Sequence, residues 1–212
     1  MLNSFFSSLA VALYGIVGGP GVGKTSIIEA LKEKGETTVR EVATDYIFER
    51  MEEGVKEPWA EDNFQLSILN RTLHRENETL EKSRILKKKR VFSDRAILDL
   101  FVYLDVRGKL QTEEFKKGNE IIKSVKPEER YKAVFLVLPW GDATKDYRKD
   151  LNRHEELDEA QKLTQKTYEI YSQYFSRLIE VPGRMSPKER AEFVLRKVEE
   201  IETGALSLAA LK

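Results

Sequence analysis

Gly18-Gly19-Pro20-Gly21-Val22-Gly23-Lys24-Thr25-Ser26 constrains this chain more than any other stretch. Gly18, four residues, then Gly23-Lys24-Thr25 is the spacing of a phosphate-cradling P-loop. An apolar run at 13–17 precedes it and an amphipathic run follows, as a strand-to-helix turn requires. Gly18, Gly21 and Gly23 carry no Cβ, so the backbone can wind around a phosphate through dihedrals that other residues resist, with its N–H groups turned inward. Pro20 fixes φ and gives up a donor where the loop bends away. A helix opening near Gly23 adds the partial positive charge of its N-terminus, and Lys24 adds a full one. The Thr25 hydroxyl suits Mg²⁺. Residues 18–26 are therefore expected to bind ATP, or another nucleoside triphosphate, together with Mg²⁺.

At 212 residues the chain suits one domain with a sizeable core. The expected division is a lead-in at 1–10, a P-loop kinase or NTPase domain at 11–203 and a C-terminal tail at 204–212. Lys+Arg and Asp+Glu both number 36, so no global field recruits nucleic acid or an anionic membrane, and no nucleic-acid partner is expected. The run Lys87-Lys88-Lys89-Arg90 reads as a solvated entry to a strand. Cysteine is absent, which excludes disulfides, thiolate metal sites and a cysteine nucleophile, and suits a cytoplasmic protein. Phe5, Phe6, Leu9, Val11, Leu13 and Ile16 make the first residues fairly apolar. With no basic start, and too short and broken a run to cross a bilayer, neither a removable signal nor a membrane span is expected. Composition does not fix an oligomeric state.

Further along, Ile27, Ile28 and Leu31 give the helix after the loop one apolar face, and Gly35 stops it. Residues 37–42 read as a strand and 45–53 as a helix. Phe64, Ile68, Leu69, Leu73 and Leu80 supply the buried stripe of a long helix. Residues 91–93 form a short strand, and a helix follows through Ile97, Leu98, Phe101, Val102 and Leu104. Thr112 is placed to cap a helix running to about 125, 133–138 is a buried parallel strand ended by Pro139, and Leu157, Ala160, Leu163, Tyr168, Tyr171 and Phe175 restore helical spacing. A last strand covers 177–181. Ser186-Pro187-Lys188-Glu189 has the capping-box pattern ahead of a final helix. Strands that alternate with helices and are near-continuously apolar predict an α/β fold of the P-loop NTPase type, a five-stranded parallel sheet with helices on both faces. Ligands of such sheets gather at the strands' carboxyl ends.

Glu41 and Asp45 are expected at one such end, with Glu41 either touching the acceptor or serving as a surface acid. A Mg²⁺ served by Thr25 needs a carboxylate at the end of a neighbouring strand, and Asp94 is the best placed; the bland alternative is an N-cap for the helix after it. Where motor ATPases carry a water-orienting glutamate after this aspartate, this chain has Arg95, whose permanently charged fork suits a substrate or its phosphate. Asp99, four residues on, either holds that fork or forms an ordinary surface pair. Asp105-Val106-Arg107-Gly108 matches a GTPase element only by chance, since it follows a helix. The polar stretch 140–153 leaves the strongest strand toward the expected triphosphate and reads as a kinase-like lid carrying Arg148 and Arg153; exposed pairs with Asp146 and Asp150 are the alternative.

The run 18–25, then Arg40-Glu41-Val42-Ala43, Phe64-Gln65 and Val91-Phe92-Ser93-Asp94-Arg95-Ala96-Ile97-Leu98-Asp99, resembles the small AAA-labelled P-loop domains that include the ribosylnicotinamide kinase module of bacterial NAD regulators. More distantly it is similar to deoxynucleoside kinases. The resemblance covers roughly 11–200 and is specific only at the P-loop and the Asp94-Arg95 element. It implies an acceptor contact for Glu41, a base contact for Gln65, and phosphate closure by Arg148 and Arg153. Thr44 departs from the arginine common in the family.

Together these readings favour a kinase moving the γ-phosphoryl of ATP to a hydroxyl of a nucleoside-like acceptor. Lys24, Asp94, Glu41, Arg148 and Arg153 would act in catalysis, and Asp45, Gln65, Arg95 and Asp99 on the substrate. A nucleotide-hydrolysing switch that acts through a protein partner is the alternative, and a purely structural nucleotide-binding module a third reading.

Overall fold

Near-continuous apolar strands must be covered on both faces, and those at 12–17 and 133–137 are. In the computed structural model, which describes residues 10–139 and 157–204, β1 (Ala12–Val17), β2 (Thr37–Val39), β3 (Arg90–Asp94), β4 (Ala133–Val137) and β5 (Leu178–Val181) form one sheet in the order β2-β3-β1-β4-β5. All four pairings are parallel, and Gly15 lies opposite both Ser93 and Val134. The intervening helices are α1 (Lys24–Glu33), α2 (Val42–Glu52), α3 (Phe64–Ile85), α4 (Asp99–Val106), α5 (Glu113–Val125), the single turn α6 (Pro127–Arg130), α7 (Leu157–Tyr174) and α8 (Pro187–Glu202). A 3₁₀ turn, Pro58–Ala60, lies between α2 and α3.

Successive strand residues face opposite sides of a sheet, and here that alternation builds two cores. Leu13, Val17, Val91, Val134 and Leu136 pack on one side with residues of α3, α4, α5 and α7, whereas Tyr14, Ile16, Phe92, Phe135 and Val137 pack on the other with α1 and α8. The caps behave as their sequences require. Thr112 accepts a hydrogen bond from the Phe115 N–H at 3.3 Å, and Ser186 and Glu189 form a complete capping box.

Of the boundaries that differ from the expectation, two bear on the site. The strand read over 37–42 ends at Val39, and Val42, buried against the core, opens α2. Glu41 thus sits at the helix's cap position rather than in the sheet. The helix expected directly after Asp94 starts at Asp99, because residues 95–98 make a turn with Arg95 in a left-handed conformation, φ 79°. Asp94 therefore caps no helix and is left for another role. No helix among the described residues is long and apolar enough to cross a membrane.

Candidate active site

β1 feeds directly into the loop whose glycines were expected to wind. Gly21 and Gly23 have φ of 77° and 92°, which side chains rarely adopt. Gly19 is glycine for a second reason: a Cβ there would come within 1.8 Å of Thr164 Oγ1 on α7. The buried Lys24 reaches back along the loop and donates to the carbonyls of Gly18 at 3.1 Å and Gly19 at 2.8 Å. Burial, reinforced by the nearby Arg95 charge, lowers its pKa to about 8, so the ammonium remains mostly charged at neutral pH. On the far side of the loop, the buried Arg190 of α8 donates to the Val22 carbonyl at 2.7 Å and to that of Gly183. Sequence reasoning missed this brace, since an arginine in an amphipathic helix reads as solvated.

Next to the loop, β3 delivers Asp94. Its Oδ2 accepts from the Thr25 hydroxyl at 2.9 Å, while Oδ1 is buried and has no hydrogen-bond partner among the described residues. Burial, with Glu41 nearby, pushes this carboxyl up to about 6. A buried carboxylate oxygen with nothing to accept, beside a threonine hydroxyl at a helix N-terminus, fits a divalent cation held jointly with nucleotide phosphates. Among the described residues no group of three or more His, Asp or Glu side chains could hold a metal by itself.

After Asp94, the chain turns on Arg95, whose N–H donates to the Ile16 carbonyl at 2.9 Å and fixes the turn to β1. The Arg95 guanidinium is clasped from two sides, Nε by Glu41 and Nη1 by Asp99 at 2.8 Å, and lies 5.6 Å from the centre of the Tyr103 ring. Glu41 also accepts from the Thr44 hydroxyl at 3.0 Å, so the residue departing from the family pattern is used to orient it. Burial alone would raise the Glu41 pKa, but Arg95 and Lys24 override it and hold it at about 2. Asp99 in turn accepts from the Tyr171 hydroxyl at 2.8 Å. The same turn is held from beneath, where the Ile97 N–H donates to Tyr131 Oη at 3.2 Å and that hydroxyl bonds the fully buried Glu76 at 2.9 Å.

Lys24, Thr25, Ser26, Glu41, Asp45, Gln65, Asp94, Arg95 and Asp99 line one cavity of about 1260 Å³, together with Pro20, Gly21 and Gly23. Asp45 stands at its edge, paired with Arg40 at 2.5 Å and Arg75 at 2.8 Å. Gln65 is buried in the first turn of α3, and its amide makes no hydrogen bond among the described residues. Trp59 and Tyr103, which the sequence reading left out, also line the cavity, as does Arg107, met in the sequence only within a chance GTPase match. Arg107 there donates to the Trp59 carbonyl at 3.4 Å and pairs with Glu159 of α7 at 3.2 Å. No local pattern marks these three, because only the fold brings the 3₁₀ turn, α4 and α7 together. Arg148 and Arg153, with the lid expected at 140–153, lie outside the described residues.

A parallel α/β sheet with a glycine loop at β1, an acid at the adjacent strand end and a deep cavity over both defines a P-loop protein. The family model described as an AAA domain matches residues 13–190, and the chain belongs to that family. No curated protein matches its sequence significantly. Among solved structures, it is similar to the deoxyadenosine kinase from M. mycoides with the products dCMP and a flexible dCDP bound. That likeness has a TM-score of 0.63 and 16% identity over 89% of this chain and 99% of the other. It is also similar to the NadR protein in complex with NR (TM-score 0.63, 13% identity, 89% of this chain) and in complex with NAD and AMP-PNP (TM-score 0.63, 13% identity, 91% of this chain). The chain spans about half of NadR, 51% and 49% in the two complexes. At these identities the likeness shows the fold alone, a parallel α/β sheet with helices on both faces.

Proposed function

We propose that this protein transfers the γ-phosphoryl of ATP to a hydroxyl group of a small nucleoside-like acceptor. The observation that carries this reading is the Glu41–Arg95–Asp99 clasp facing the P-loop across one cavity. A carboxylate and a guanidinium are held there at the position where a hydrolase would need a free water-orienting acid. Structural likeness to a deoxyadenosine kinase supports the same class of chemistry.

The residues divide into a donor side and an acceptor side. Lys24 and the N–H groups of the loop bind the β- and γ-phosphates. Thr25 and Asp94 would hold Mg²⁺, which when bound supplies charge neutralisation to the phosphate oxygens. Across the cavity, Glu41 accepts a hydrogen bond from the acceptor hydroxyl and orients it. A carboxylate held at about 2 is a weak base, so its role is positioning, which suffices for a loose phosphoryl-transfer transition state that needs little proton removal. Arg95 has no partner for Nη2 among the described residues, and this tine is the donor offered to the transferring phosphoryl. Gln65 contacts the acceptor's base through its uncommitted amide.

The test is ATP turnover with Mg²⁺, measured with and without a panel of ribo- and deoxyribonucleosides. Turnover that is negligible alone and rises with a nucleoside supports a kinase. Turnover independent of every acceptor supports a nucleotide-hydrolysing switch instead.

A further inference from the structure

We propose that Tyr171, on α7 and outside the set of groups that touch substrate, is a positioning residue that sets the orientation of Arg95 by fixing the Asp99 carboxylate; this rests on the phosphoryl-transfer reading above. Tyr171 is fully buried, and its hydroxyl lies 2.8 Å from Asp99 Oδ1 and 3.0 Å from the Ala96 carbonyl. Asp99 therefore divides its two oxygens, Oδ1 to Tyr171 and Oδ2 to Arg95 at 2.8 Å. A carboxylate on a short side chain can rotate about its last bond, and a donor on one oxygen fixes where the other faces. The Ala96 carbonyl, 3.0 Å from the same oxygen, competes for that single proton, but it already accepts the Asp99 N–H at 3.1 Å and is neutral, so the charged Asp99 oxygen at 2.8 Å is the main acceptor.

The requirement for a tyrosine is specific to the hydroxyl. The ring packs against Phe175, stacked with centroids 5.9 Å apart, and phenylalanine would fill the same space. Burial and then Asp99 hold the Tyr171 pKa well above its ordinary value, so the proton stays on the hydroxyl throughout the working pH range. One deletion, Tyr171→Phe, thus removes the donor to Asp99 and leaves the core filled. Arg95 would then keep its charge and its Glu41 contact and lose the alignment of its second clasp. Lys24 and Thr25, which hold the nucleotide, are not touched by this chain of bonds.

The experiment compares Tyr171→Phe, Asp99→Asn and the double variant, with Tyr168→Phe on the exposed face of α7 as control. Each is assayed for acceptor phosphorylation, and the Arg95 Nε–H signal is followed by NMR. Tyr171→Phe is expected to lower kcat about tenfold or more with KM for ATP unchanged, as small misplacements in phosphoryl transfer do. In the Asp99→Asn background the same change should add little, because the hydroxyl acts through Asp99. A kcat within about twofold of wild type, or equal losses in both backgrounds, overturns the proposal. If Tyr171→Phe gives no cooperative melt, Asp99→Asn alone decides: a lowered kcat with unchanged KM for ATP supports positioning, and wild-type kinetics overturn it. Should the wild-type protein phosphorylate no nucleoside, the kinase reading fails separately. The Arg95 signal then settles the positioning claim, supported by broadening or a shift in Tyr171→Phe and overturned by an unchanged resonance.

Discussion

Replacing Asp94 by asparagine should make the metal-free protein more stable while removing its chemistry. Burial and Glu41 raise the Asp94 carboxyl from 3.8 to about 6, a shift of roughly two units that corresponds to about 3 kcal/mol of penalty on the charged form. Asparagine keeps the shape and the Thr25 contact and carries no charge. Its amide leaves one group unpaired where Oδ1 already lacks a partner, which returns about 1–2 kcal/mol of that gain. The net expectation is about 1–2 kcal/mol of stabilisation at pH 8, or about 2–8 °C in Tm for a chain of this size. The sign follows from linkage. A carboxyl whose folded pKa lies above its unfolded one favours the folded state below about pH 4, and that contribution is lost as pH rises through about 6. The gain of Asp94→Asn over wild type should therefore be full above pH 7 and turn into a deficit of about 1 kcal/mol at pH 4, where the charge penalty has gone and the unpaired amide remains. Calorimetric melting with a chelator present, at several pH values, reads it directly, and Mg²⁺-dependent turnover should fall by orders of magnitude in parallel. A lower Tm for the variant at pH 8, or retained Mg²⁺-dependent activity, would refute the assignment of Asp94 as a cation ligand kept ready at a cost in stability.

Lys24→Ala should abolish nucleotide binding, measured by titration calorimetry, while the protein melts as cooperatively as wild type; retained ATP binding removes the phosphate role. Glu41→Gln should lower kcat with little change in KM for ATP, and a parallel loss of both argues against acceptor contact. Because Glu41 is held at about 2, below its ordinary 4.5, it stabilises the fold above pH 4.5, and that contribution is lost as pH falls toward 2; Glu41→Gln should flatten this part of the acid-unfolding curve. Glu76→Leu leaves Arg130 and the Tyr131 hydroxyl without their buried acceptor and should cost about 3–5 kcal/mol in denaturant melts; a near-wild-type midpoint contradicts the reading of this network as a buried pair.

The P-loop side of the cavity was legible in the sequence because its parts are contiguous. The glycine loop, Lys24 and Thr25 form one motif, and Asp94 follows an apolar strand that can only be central. Cap chemistry placed the starts of α5 and α8 to the residue. The strand over 37–42 was overread because the β-branched Thr37, Thr38, Val39 and Val42 favour extended backbone, yet the burial of Val42 comes from opening α2. The turn at 95–98 was invisible because Arg95 adopts a positive φ through tertiary bonds to Ile16, Glu41 and Asp99 rather than through any local preference. The Arg95–Asp99 pair was legible from its spacing, but its third member, Tyr171, is 72 residues from Asp99 and reads as a core aromatic. Long-range hydroxyl contacts of this kind leave no periodic signature.

Phosphoryl transfer to a nucleoside-like hydroxyl is read without an intermediate assay by mass spectrometry of the reaction products. Incubation with Mg²⁺, ATP and the nucleoside panel is predicted to yield one or more nucleosides heavier by a single phosphoryl group, in amounts equal to the ADP formed and absent with Lys24→Ala. ADP and inorganic phosphate released in equal amounts, with every nucleoside recovered unchanged, would contradict it.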